Sequence, residues 1–114
     1  MKQLGTLQIR IMQQLWGSKD PMTVDIMQAL LNYDKKDPEL AYTTVGTVLR
    51  NLVKAGFVRS YKGRRGPKHW FEPLVEQDDY IESQLKQLLV EFFDGNEHDL
   101  CNFIHTTLGK GDHA

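Results

Sequence analysis

Apolar residues recur at helical spacing from the start of the chain. Leu4, Leu7, Ile11 and Leu15 share one stripe, and Ile9, Met12 and Trp16 widen it, which predicts a helix over residues 6–16 stopped by Gly17. After the turn SKDPM, Thr23 is a good N-cap for a second helix ending near residue 31. Asp25 falls in its first turn, where the helix dipole favours negative charge, and Val24, Met27, Leu30 and Leu31 form its apolar face. The polar stretch NYDKKDPE, residues 32–39, reads as a loop, and Leu40 and Ala41 as a short strand.

The next stretch, LAYTTVGTVLRNLVKAGFV over residues 40–58, organises what surrounds it. As a helix over 43–55 it puts Val45, Val48, Leu49, Leu52 and Val53 on a buried face, and Thr43, Thr44, Thr47, Arg50, Asn51 and Lys54 on the other. Gly56 suits a left-handed C-cap. Residues 57–61 then read as one strand and 69–71 as a second, stopped by Pro73. The KGRRGPK segment between them, with two glycines, a proline and four cations, predicts a protruding hairpin tip. Three helices followed by a basic hairpin are the winged helix-turn-helix arrangement, mainly α with a small β wing.

Beyond Val75 the period stays helical. A long helix over 76–93 carries Tyr80, Ile81, Leu85, Leu88, Leu89, Phe92 and Phe93; Asp94-Gly95-Asn96 breaks it; a last helix over 97–108 carries Leu100, Phe103, Ile104 and Leu108. Two such helices bury too little between themselves, so their apolar faces are expected to meet a second copy of the chain. Tyr80, Ile81, Leu85, Leu88, Leu89, Phe92, Leu100, Phe103 and Ile104 are the expected homodimer contacts. The expected division is a winged-helix DNA-binding domain over 1–73 and a dimerisation region over 74–114 with a frayed end.

Charge sharpens that division. Residues 1–73 hold twelve Lys and Arg against six Asp and Glu, a net +6, while 74–114 hold two against nine, a net −7. A basic body suits a polyanion, and an acidic, leucine-rich tail suits another protein surface. The chain of 114 residues has room for one compact domain and an appendage. No apolar run reaches the roughly 18 residues that span a bilayer, and the N-terminus lacks the apolar core of a signal peptide, so a cytoplasmic protein without membrane insertion is expected. The single Cys101 can form no internal disulfide.

The candidate chemistry is recognition. A helix laid in the major groove would bring Thr43, Thr44, Thr47, Arg50 and Asn51 to base edges, with Tyr42 at its entry reaching a phosphate or packing on the second helix. The wing cations Lys62, Arg64, Arg65 and Lys68 would contact phosphates or the minor groove of double-stranded operator DNA. His98, Cys101 and His105 share a stripe of the last helix and are soft-metal ligand types, but no CxC or CxxC accompanies them and a buried cysteine beside two polar histidines is commonplace, so no metal site is expected. There is no phosphate-binding glycine loop, HExxH or GxSxG, so neither an enzyme nor a cofactor is expected. A winged-helix protein-interaction module, docking through the acidic helices, is the reading from a different class.

The segments LGTLQIRIMQQLW at 4–16, LAYTTVGTVLRNLVKAGFV at 40–58 and FFDGNEHDLCNFI at 92–104, in that order, resemble the BlaI/MecI/CopY-type penicillinase repressors of bacteria. The resemblance implies a homodimer with N-terminal winged-helix domains on a palindromic operator and C-terminal dimerising helices. It implies control of β-lactamase or penicillin-binding-protein genes, or in another branch a metal response. The antibiotic branch is induced through a membrane-bound sensor protease pathway that cuts an Asn-Phe bond, and Asn102-Phe103 matches that dipeptide. The copper branch carries paired CxC motifs, from which the single Cys101 departs.

Overall fold

In the computed structural model, residues 1–63 and 66–109 are described. The element order is α1 (Thr6–Gly17), α2 (Val24–Leu31), α3 (Tyr42–Lys54), β1 (Val58–Lys62), β2 (His69–Pro73), α4 (Gln77–Phe93) and α5 (Glu97–Leu108). The contacts divide the chain into two compact units, Lys2–Gln77 and a helical unit from Asp78 onward.

The first unit closes on a core drawn from every one of its elements. Ile11, Met12 and Leu15 of α1, Met27 and Leu31 of α2, Val45, Leu49 and Leu52 of α3, and Phe57, Val58 and Phe71 around the hairpin are all buried. The helical period decided most of this, and three of its assignments shift. Leu30 is exposed rather than buried, and Val48 and Val53 are only half-buried, because the stripe that α3 buries is centred on Val45, Leu49 and Leu52. Gly17 is the last residue of α1 instead of its stop.

Local chemistry sets the boundaries of α2 and α3. Thr23 caps α2 by accepting the Ile26 N–H at 3.3 Å. The expected strand at Leu40 and Ala41 is not formed. The Asn32 side chain instead takes the place of a strand partner, with Oδ1 accepting the Leu40 N–H at 2.8 Å and Nδ2 donating to the Leu40 carbonyl at 2.9 Å. Gln28 Nε2 donates to the same carbonyl at 3.1 Å, so the end of α2 holds the start of α3 in place. At the far end of α3, Gly56 adopts φ 85°, and the Phe57 N–H reaches back to the Leu52 carbonyl at 2.9 Å. This is the left-handed helix end for which glycine is suited.

β1 and β2 pair antiparallel with Ser60 opposite Phe71 and Lys62 opposite His69. Met22, read from sequence as part of a turn, pairs with Phe71 through Met22 N–H to O at 3.0 Å and Phe71 N–H to O at 2.8 Å, which fastens the hairpin to the segment before α2. Trp16 Nε1 donates to the Val75 carbonyl at 2.7 Å and ties α1 to the chain leaving β2.

In the second unit α4 and α5 are joined by a tight turn at Asp94 and Gly95, both with positive φ. Asn96 caps α5 by accepting the Asp99 N–H at 3.1 Å. The Phe93 and Phe103 rings meet at 5.8 Å between centroids. Among the described residues no helix is long and apolar enough to cross a membrane.

Candidate nucleic-acid interface

α3 presents two contrasting sides. Against its buried stripe, Thr43, Thr44, Thr47, Arg50 and Asn51 are all solvent-exposed, and Tyr42, its first residue, is half exposed. Ala41 supplies no side-chain cap, so no side chain competes for the N–H groups that open the helix, the groups that suit a phosphate oxygen. Arg50 lies back along the helix, its Nη2 donating to Thr47 Oγ1 at 3.4 Å and its guanidinium above Gly46. Hydroxyls, an amide and a guanidinium thus stand together on one exposed face, the donor and acceptor types that read base edges.

The hairpin flanks this face. Lys62, at the end of β1, is exposed. Arg64 and Arg65, expected at the wing tip, lie outside the described residues. Lys68 is engaged: its Nζ donates to Asp25 Oδ2 at 2.9 Å, and that hydrogen bond, with the carboxylate's charge, raises the Lys68 pKa above its ordinary value. The pair crosses from the hairpin to the first turn of α2. Trp70 is half-buried and lies against Gly63 so closely that a Cβ there would sit 2.5 Å from Trp70 Nε1, so Trp70 shapes the hairpin rather than offering a free stacking face.

Ion pairing sorts the remaining cations of this unit. Arg10 pairs with Asp37 at 3.6 Å and Arg59 with Glu72 at 3.4 Å. Arg50, Lys54 and Lys62 have no carboxylate partner among the described residues, and neither do Lys2, Lys19, Lys35 and Lys36 elsewhere in the unit. The charge of Arg50, Lys54 and Lys62 lies on α3 and the hairpin, where a polyanion would meet it. Sequence periodicity located the exposed face of α3; it gave no sign of the Asp25–Lys68 pair, whose members are 43 positions apart.

The expected dimer residues separate into two groups. Tyr80 and Leu100 are already buried in the single chain, and Leu89 is half-buried. Ile81, Leu85, Leu88, Phe92, Phe103 and Ile104 are exposed, Phe92 at 72% and Phe103 at 58%. Cys101 and Asn102 are exposed as well. His98 Nε2 lies 3.2 Å from Asn102 Nδ2, and among the described residues no three His, Cys, Asp or Glu side chains gather as a metal site.

A family model described as penicillinase repressor matches residues 4–112. The transcriptional regulator BlaI of Mycobacterium tuberculosis is 30% identical over 106 residues, covering 91% of this chain and 73% of the relative. A penicillinase repressor of Bacillus licheniformis is 22% identical over 111 residues, covering 96% and 82%. Among solved structures, the peroxide-sensing regulator PerR of Streptococcus pyogenes superposes with a TM-score of 0.56 at 19% identity, over 63% of this chain and about half, 48%, of that one. That likeness concerns the winged-helix fold alone.

Proposed function

Because the chain belongs to the penicillinase repressor family, we propose that it works as a homodimer on an inverted-repeat operator, reading bases with α3 and holding phosphates with the hairpin. It is a transcriptional repressor of the BlaI type, and its relatives are transcriptional regulators rather than enzymes. The observation that carries the finer reading is the exposed polar face of α3, which includes Arg50 and Lys54, cations with no carboxylate partner among the described residues.

In this reading Thr43, Thr44, Thr47, Arg50 and Asn51 contact base edges, whereas Tyr42, Lys62, Arg64 and Arg65 contact the backbone. Lys68, with one donor on Asp25, would turn a remaining N–H toward a phosphate. Dimerisation uses the exposed apolar side chains of α4 and α5, from Ile81 to Ile104, since a large apolar patch left in water favours association. Twofold symmetry then sets two copies of α3 on two half-sites about one helical turn apart, or a multiple of it.

A mobility-shift assay with the full chain tests the reading. Binding that prefers an inverted repeat from the organism's own promoters over a scrambled duplex, and that weakens steeply with salt, is expected. Weak binding indifferent to sequence would instead favour a protein-interaction module. Replacing Phe92 with Glu should give a monomer by sedimentation and lower operator affinity; an intact dimer would refute the role of α4.

Regulation is proposed along the same line. The family relation favours antibiotic-resistance-type genes, for β-lactamase or penicillin-binding proteins, and induction by a membrane-bound sensor protease pathway acting at Asn102-Phe103. Both side chains are exposed, but the bond lies within α5, so cleavage requires local unwinding there. Mass spectrometry of the repressor from β-lactam-treated cells should find a fragment beginning at Phe103; an intact chain under induction would exclude this route.

A further inference from the structure

A cleft of about 520 Å³ opens within the first unit between the start of α2, the exposed side of α3 and the hairpin. Its size lies within the range of small-molecule sites, about 300–1,000 Å³. Val24 and Phe71, both buried, form its floor, and Val53 and Pro67 add to an apolar lining. Phosphates of a duplex would match the cations at its rim but leave that apolar lining unused. An apolar concavity filled with water releases free energy when an apolar group replaces the water.

The rim decides the charge of the occupant. Its one carboxylate, Asp25, is held by Lys68 at 2.9 Å. His69 Nδ1 lies 3.4 Å from Ser60 Oγ. Arg50 and Lys54, one turn apart on α3, line the same cleft without a carboxylate partner among the described residues. The group that completes this site is an anion.

We propose that the cleft binds a small amphiphilic organic anion, an aromatic or branched apolar body bearing one carboxylate, and that its occupancy excludes duplex DNA from α3. The apolar body rests on Val24, Val53 and Phe71, and the carboxylate meets Arg50 and Lys54. Tyr42 and Arg50 belong both to this lining and to the face assigned to DNA, so the two ligands compete for the same side chains. By linkage, each lowers the affinity for the other. The exclusion rests on the DNA-binding reading above; the site itself does not.

The test uses 1-naphthoate as the probe, with 1-naphthalenemethanol and 1-naphthylmethylamine as neutral and cationic counterparts. The full chain is titrated while the methyl signals of Val24 and Val53 are followed by NMR. Saturable shifts at both valines with naphthoate, and at least about fivefold weaker binding of the other two, are expected. Lys54→Gln, an exposed substitution that leaves the core intact, should lower naphthoate affinity about threefold or more. Naphthoate at saturation should weaken binding of a generic duplex at low salt about tenfold, and inorganic phosphate at equal ionic strength should not. Absence of saturable shifts, or equal binding of the alcohol, overturns the anion site. Naphthoate binding without any duplex binding would retain the site and refute the DNA reading alone. Simultaneous, independent binding of both would refute the exclusion.

Discussion

The two units of this chain carry similar proportions of apolar sequence and use them in opposite ways. In Lys2–Gln77 the large apolar residues are mostly interior: Ile11, Met12, Met27, Val45, Leu49 and Leu52 are fully buried. From Asp78 onward only Tyr80 and Leu100 are buried among the described hydrophobic residues, and neither completely, while Ile81, Leu85, Leu88, Val90, Phe92, Phe103 and Leu108 remain exposed. Two helices joined by one turn can shield a few side chains from each other, and three helices closed by a hairpin can enclose a core. The first unit therefore encloses a core of its own, and the second leaves much of its apolar surface in water.

The largest effect expected from this contrast is in the core. Leu49→Ala should cost about 2–5 kcal/mol by urea unfolding, because the cavity forms where no water or neighbour can fill it. Phe92→Ala, which deletes a larger but exposed ring, should leave that unfolding transition in place. A comparable loss from both would break the distinction between the units.

Next comes association. Phe92→Ala should weaken the dimer by about 2 kcal/mol, roughly thirtyfold in dissociation constant by sedimentation equilibrium. If the constant is unchanged, the exposed surface of the second unit serves something other than a second copy.

The remaining effects sharpen the first unit's own division between its core and the exposed polar face of α3. Thr47→Ala should relax preference at a single operator position by about 1 kcal/mol in competition binding, since one mismatched base pair costs about 1–3 kcal/mol. Lys62→Ala should weaken all duplexes alike and reduce the salt slope by about one. A sequence-specific effect from Lys62, or a uniform one from Thr47, would exchange their roles.

The smallest effect concerns the pair across the hairpin. Asp25 raises the pKa of Lys68 above its ordinary value of 10.5. A raised folded-state value means that the pair's contribution is complete below the unfolded-state lysine pKa and is lost only as pH rises through the folded one. No change is expected between neutral pH and mildly basic conditions. Asp25→Asn should return the Lys68 titration, followed by NMR at its side chain, toward the ordinary value.

Much of the fold was legible because it depends on local periodicity. The apolar spacing in 4–16 and 43–55, the Thr23 cap, Gly56 and the basic turn each act within a few residues of themselves, so the helices and the hairpin could be placed from the pattern alone. The exposed face of α3 followed, since a helix with one buried stripe must present the opposite one. Leu30 and the half-buried Val53 show the limit of that reasoning, because a helix pattern cannot say how wide a neighbour's cover will be.

What the sequence determined by itself was the identity of the elements, the polar face of α3 and the opposite charges of the two halves. What the tertiary structure alone decided were pairings between distant positions: Met22 on Phe71, Asn32 on Leu40, Lys68 on Asp25, and the cleft that unites Val24, Val53 and Phe71. The physical reason is range. Helical period and capping are set by neighbours three or four positions away, whereas a salt bridge between hairpin and helix, or a cavity lined by three elements, exists only after the chain has closed on its core.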